Sequence, residues 1–314
     1  MRYLHYNQLY TKWIESPVDL AVYQMPVTSK RFKQWIVQLK KKYPQLQMET
    51  LAETICGNEI IELRIGKGPI HLHINAGMHA NESINTNLLL VFITRYLFVL
   101  YDESFSDLQT LLSRFTLSIV PMVNPDGIDL LHDPEALPVF FYRNALYINQ
   151  NVSDVSNWKA NLNGVDINNQ FPALWEKIFQ IPFKKNEPSP RDYPGIAPLT
   201  EKEALALYHL VQKNDFQSVL CLHTQGEEFY WGFQFCEPAI SSMQSEILEA
   251  ISGYKRIQTV ESYGGFKDWF IQEYRRPGFT IEVGLGENPL PLSNFDSYFK
   301  KVDEILFAYL FLYV

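Results

Sequence analysis

The stretch HLHINAGMHANESINTNLLLVFI, residues 71–93, carries the decision about the fold. Its first half alternates as a strand does, and Gly77 breaks the run. From Asn81 onward the residues turn apolar and read as a core helix. A strand entering a helix through a glycine turn is a building unit of α/β folds, and this turn presents His79 and Glu82 three residues apart.

The same kind of patterning continues on both sides. TSKRFKQWIVQLKKKYP has a Ser/Thr start, helical spacing and a terminating proline, which predicts a helix over 29–43. LQMETLAETI and EIIELRIG, either side of Cys56-Gly57-Asn58, predict two strands. FTLSIVPMVNPDG predicts a buried strand ending in an Asn-Pro-Asp-Gly turn, and EKEALALYHLVQKN a helix. FQSVLCLHTQGEE predicts a strand running out into a loop, and GFTIEVGLG a further strand. Strands interleaved with helices predict an α/β fold: a mixed, mostly parallel central sheet with helices on both faces. The proline-rich NEPSPRDYPGIAP, 186–198, reads as a long surface loop, and residues 1–26 as a poorly patterned N-terminal extension.

Composition narrows the class. A chain of 314 residues with 46% hydrophobic and 14% aromatic content is an ordinary globular protein. A net charge of −8 argues against nucleic acid as a partner, because phosphate binding needs a concentrated excess of Lys and Arg. The basic run KRFKQWIVQLKKKYP has helical spacing and reads as a solvated face. Cys56, Cys221 and Cys236 are odd in number and irregularly spaced, so neither a disulfide framework nor a Cys-rich zinc site is expected, and a reducing compartment fits. The N-terminus lacks the unbroken apolar segment of a signal peptide, and the longest apolar runs fall short of the roughly 20 residues of a membrane span. The expectation is no membrane insertion and a cytoplasmic location, or one within a developing spore.

In sheets of this kind ligands gather beyond the carboxyl ends of the strands. His79 and Glu82 follow one predicted strand, His223 ends another, and Glu282 lies within a third. Two imidazoles and a carboxylate make a three-ligand zinc set with the fourth position left for water. Glu282 is then a spare carboxylate able to take a proton from that water, whose pKa zinc lowers to about 7, and to return it to a leaving amine. The chemistry implied is amide hydrolysis. Taken singly, each residue has a plainer reading: His79 at a helix start, His223 in the core, Glu282 in a salt bridge.

The succession GMHANE, NPDG, WKANLNGVDINNQFP, LCLHTQGEE, YGGFKDW and FTIEVG resembles the M14 zinc carboxypeptidases, in that family's order, from residue 27 onward. The resemblance implies one zinc catalytic domain over 27–314, with one Zn2+ held by His79, Glu82 and His223 and with Glu282 as general base. It also places Lys159 where the family has an arginine that polarises the scissile carbonyl. Departures are informative. Where typical members read Asn-Arg-Asn, gripping a terminal carboxylate, this chain reads Asn168-Asn169-Gln170. A neutral Asn169 lacks the bidentate fork of arginine. That change, with HTQGEE and GFKDWF, resembles the bacterial γ-D-glutamyl-meso-diaminopimelate peptidases, which implies small peptide or muropeptide substrates. The family's flexible pocket tyrosine falls on Val260, with neighbouring Tyr263 as its substitute. Lys267 falls at the position that sets side-chain preference, though Asp268 beside it can pair with it. Glu227 is expected to receive a substrate ammonium, and Arg191 is the nearest replacement for the lost carboxylate-binding arginine. The rival readings are another M14-type carboxypeptidase or deacylase, and a non-catalytic binder of wall peptides.

Overall fold

Among the described residues of the computed structural model, 2–258 and 261–314, one eight-stranded sheet organises the molecule. Its strands are β1 (Gln47–Glu53), β2 (Glu59–Gly66), β3 (Ile70–Asn75), β4 (Phe115–Val120), β5 (Ser218–His223), β6 (Glu228–Tyr230), β7 (Lys255–Ile257) and β8 (Gly278–Glu282). They lie in the order β1-β2-β4-β3-β5-β8-β6-β7. The central four, β4, β3, β5 and β8, run parallel, and β2 and β6 pair antiparallel with the outer members of that set. Every residue of β4 and β5 is buried, as in strands covered by helices on both faces.

Helices cover both faces, as the interleaved pattern predicts. They are α1 (Arg2–Ile14), α2 (Ser29–Lys42), α3 (Ile84–Tyr101), α4 (Ser106–Leu112), α5 (Pro125–His132), α6 (Val139–Ile148), α7 (Lys202–Lys213), α8 (Ile240–Ser252), α9 (Phe266–Tyr274) and α10 (Phe295–Phe311). On one face α1, α3, α4, α8 and α10 close over Leu63, Leu72, Ile74, Leu117, Leu220 and Phe279. On the other, α7 and α9 pack against Val120, Val219 and Cys221. By length and composition α3 could cross a membrane, but most of it is buried inside this core. All three cysteines are free.

The N-terminal stretch holds more structure than its sequence suggests. Tyr6, Leu9 and Trp13 fall on one side of α1 and join the same core as α3 and α10. Trp13 Nε1 donates to Asp303 Oδ2 at 3.0 Å, and the same carboxylate receives Arg95. The helix expected at 29–43 is α2, capped by Thr28 Oγ1 accepting from Arg31 N.

A third, smaller apolar cluster bears on function. Trp158 is fully buried among Ala80, Leu130, Leu137 and Ala145, and truncating such a tryptophan costs about 3–5 kcal/mol. Its burial fixes the main chain that leads to Lys159.

Candidate metal centre and active site

The site is assembled where β3, β5 and β8 end side by side. β3 stops at Asn75 and the chain reverses through Gly77 at φ +67°, where a Cβ would come within 2.5 Å of Thr86 Oγ1, so only glycine fits. His79 and Glu82 bracket the 3-10 turn Ala80–Glu82 that follows. That turn is tied down by Ala80 N donating to Lys159 O and Asn81 N to Trp158 O, both at 3.1 Å. Buried Asn124, from the Asn-Pro-Asp-Gly turn, donates to Met78 O and Ala160 O and accepts from Gly127 N. One amide thus holds three segments together. His223 is the last residue of β5 and lies in register with Glu282, the last of β8.

Glu82 is the hub. Its Oε1 lies 2.9 Å from both His79 Nδ1 and Lys159 Nζ, and its Oε2 accepts from Thr224 N at 3.1 Å and lies 3.0 Å from His223 Nδ1. His79 Nε2 reaches Asp166 Oδ1 at 3.1 Å. The two Nδ1 atoms are 3.2 Å apart. Two nitrogens bound tetrahedrally to one zinc at 2.0–2.1 Å stand about 3.3 Å apart, so the spacing is that of two ligands of one ion. Ligand atoms of His79, Glu82 and His223 all lie within 4.8 Å of one another, and all three residues are buried. The donor set, with a carboxylate behind His79 to fix its tautomer, fits zinc.

The protonation pattern follows from burial and charge. Burial alone would raise the Glu82 carboxyl, but Lys159, His79 and His223 hold it well below the usual carboxylate range. Burial also disfavours a charged His79, yet Glu82 and Asp166 outweigh it and hold the ring up at about 9. His223, with the smaller share of carboxylate, is pushed down by burial and stays neutral. Asp166 keeps its charge despite burial because His79, Lys184 and Lys159 surround it. Glu282 is pushed up by burial and by the nearby Glu82 charge, which is how a carboxylate is poised as a base.

A cavity of about 480 Å³ opens over this cluster. His79, Glu82, His223, Glu282, Lys159, Asn168 and Arg191 all line it, joined by Asn157, Thr224, Gln225, Tyr230, Glu287 and Asn288. Asn168 is oriented from behind, its Oδ1 accepting from Phe266 N.

Five expected substrate contacts are corrected. Gln170 is fully buried: its Nε2 donates to Pro194 O and Ala197 O, while its Oε1 accepts from Thr200 and from Glu201 N. It ties the 194–201 loop and does not face the cavity. Asn169 turns its Oδ1 to Lys184 and lies outside the lining. Lys267 is buried, paired with Asp268 and donating to Gly232 O at 2.8 Å. Tyr263 packs against the α7/α9 core with Lys177 over its ring. Glu227 sits exposed on the turn after β5 and is no part of the cavity wall. Val260 lies outside the described residues. Asp166 was missed because it meets His79 across 87 positions of sequence, and only its place in the Gly-Val-Asp block hinted at it. Tyr230 and Glu287 sit in stretches where no spacing sets them apart.

Comparison with known proteins agrees with this geometry. The sequence profile of the zinc carboxypeptidases, peptidase family M14, matches residues 32–247. A Lysinibacillus sphaericus protein named gamma-D-glutamyl-L-diamino acid endopeptidase 1 is 42% identical over 280 residues, 88% of this chain and 70% of that one. YqgT, an uncharacterized protein of Bacillus subtilis (strain 168), is 38% identical over 312 residues, 97% of this chain and 80% of that one. The fold superposes on bovine thrombin-activatable fibrinolysis inhibitor, in complex with tick carboxypeptidase inhibitor, with a TM-score of 0.69 and 18% identity, covering 92% of this chain and 97% of that chain. The chain belongs to the M14 family of zinc carboxypeptidases.

Proposed function

We propose that this zinc peptidase hydrolyses the γ-D-glutamyl–diaminopimelate amide bond of peptidoglycan-derived peptides. The observation that carries the hydrolytic chemistry is the meeting of His79, Glu82 and His223 beside Glu282 at neighbouring strand ends. The substrate class is supported by the name of the Lysinibacillus relative and by a cavity bearing both signs of charge, lined by Lys159 and Arg191 as well as by Glu282 and Glu287. A peptide carrying free carboxylates and an ammonium suits such a lining better than an apolar side chain does.

His79, Glu82 and His223 would hold the zinc, which would supply Lewis acidity toward a water and the scissile carbonyl. Asp166 holds His79 by its Nε2–H, and Thr224 N holds Glu82, so both ligands are presented in fixed orientation. Glu282, at the end of the strand beside His223, accepts the proton of the attacking water as its carboxylate and returns it to the departing amine. Lys159 donates to the oxygen on which negative charge develops. Asn168 and Arg191 orient the remainder of the substrate within the cavity. The three free cysteines support a reducing, cytoplasmic place of action.

The test is mass spectrometry of L-Ala-γ-D-Glu-diaminopimelate incubated with the zinc-loaded protein, with and without chelator, beside an ordinary peptide with a free C-terminus. L-Ala-D-Glu and free diaminopimelate are expected, and chelator abolishes both. Release of C-terminal residues from the ordinary peptide alone would contradict the assignment.

A further inference from the structure

A second cavity, of about 780 Å³, opens beside the catalytic one, and Asn157 lines both. The ridge between them is a clamp of main chain. Lys159 N and Ala160 N both donate to Pro190 O, at 2.8 and 3.0 Å. Lys159 and Arg191 line the catalytic side of this ridge, and Pro190 lines the other. Asn157, on both linings, is where a substrate longer than the catalytic cavity would cross the ridge into the larger one.

The two cavities differ in chemistry. Charged side chains dominate around the metal ligands. The second cavity is lined mainly by amides and hydroxyls around the ring of Tyr147, which is 75% exposed at the end of α6. The side chains of Asn144, Gln150 and Asn157 make no hydrogen bond among the described residues. Of its charged groups, Asp154 is already turned to Ser156 N at 2.9 Å, and Lys185 offsets Glu187. Primary amides both donate and accept, so they pair with hydroxyls in either direction, while an exposed ring covers an apolar C–H face. These are the demands of a neutral polyol bearing an acetamido group. A charged peptide stem calls instead for fixed opposite charges.

We propose that this cavity binds the N-acetylated sugar of a glycan-linked muropeptide while the attached peptide lies over the metal ligands. The inference rests on the proposed wall-peptide substrate. The lactyl bridge and first alanine that separate the sugar from the glutamyl residue span the ridge at Asn157.

The experiment compares two substrates of the zinc-loaded protein: the tripeptide above, and the same tripeptide carrying its N-acetylglucosaminyl-N-acetylmuramyl disaccharide. KM is expected to be about tenfold lower for the glycan-bearing form, the worth of one or two net hydrogen bonds. Tyr147→Ala and Gln150→Ala, both exposed and outside the catalytic cavity, erase the difference and leave the free tripeptide unaffected. Equal KM values for the wild type, or variants that slow both substrates alike, overturn the proposal. A second readout needs no cleavage: the free disaccharide titrated into wild-type protein binds, and Tyr147→Ala abolishes the binding. Disaccharide binding at Tyr147 with neither peptide cut would leave the sugar site standing and remove the substrate reading. Cleavage of both peptides with no disaccharide binding would do the reverse. Tighter binding of a sugar-free cross-linked peptide, lost in Tyr147→Ala, would assign the cavity to a peptide stem and overturn the sugar.

Discussion

Replacing Asp166 by asparagine probes how the metal site is held, because it removes one charge and little volume. Asp166 Oδ1 sits 3.1 Å from His79 Nε2 and also accepts from Asn168 N, so an asparagine oxygen can keep the turn while presenting a neutral acceptor to the imidazole. Loss of such a carboxylate behind a metal-binding histidine weakens metal affinity about 10–100-fold, or about 1.4–2.7 kcal/mol. The pH at which this is measured matters. In the metal-free protein Glu82 and Asp166 hold His79 at about 9, so at pH 7 zinc must displace a proton from it. Apparent affinity of the wild type therefore rises as pH rises from 7 to 9. Asp166→Asn removes one of the two carboxylates that retain the proton, His79 falls, and the handicap at pH 7 shrinks. Competition titrations against a chromophoric chelator should show the full loss at pH 10 and a smaller one at pH 7. Unchanged affinity at pH 10 would refute the role of Asp166, and an equal loss at both pH values would refute the proton competition.

Glu282→Gln should retain zinc at wild-type stoichiometry while kcat/KM falls about 10²–10⁴-fold, since the base is gone and the ligands remain; wild-type turnover would reject the assignment. Lys159→Met should lower kcat by about 10²–10³ with little change in KM, measured on zinc-saturated protein, because the lost donor acts on developing charge. Glu203 is fully buried beside Glu201, and burial, then that neighbour, raises its carboxyl to about 7 from an ordinary 4.5. With the folded value above the unfolded one, stability is lost as pH rises from about 4.5 through about 7, by about 3 kcal/mol in all. Denaturant midpoints should therefore show Glu203→Gln gaining on the wild type at pH 8 and not at pH 4.

The strand–glycine–helix unit at 71–93 was legible because its two halves have different periods, and the same contrast exposed β4, β5 and β8. The metal ligands were legible because His223 ends one strand and His79 and Glu82 follow another, and the region beyond strand ends is where such sheets collect polar groups. Nothing in spacing showed that β3, β5 and β8 would be neighbours; that came only from the order of the blocks. The substrate contacts fared differently for a physical reason. A polar residue in an asparagine-rich loop looks the same whether it faces a ligand or ties the loop together, and Gln170 does the second with both ends of its amide. Lys267 likewise found its partner in the adjacent Asp268. α1 escaped notice because its three buried aromatic and aliphatic residues are diluted by polar neighbours, and their value depends on α10, which is almost 300 residues away.

The most direct test of the central claim is an anomalous difference map at the zinc edge from crystals of the zinc-loaded protein. A single peak at about 2.0–2.2 Å from His79 Nδ1, His223 Nδ1 and a Glu82 carboxylate oxygen is predicted. A peak elsewhere, or one touching fewer than all three residues, would contradict it.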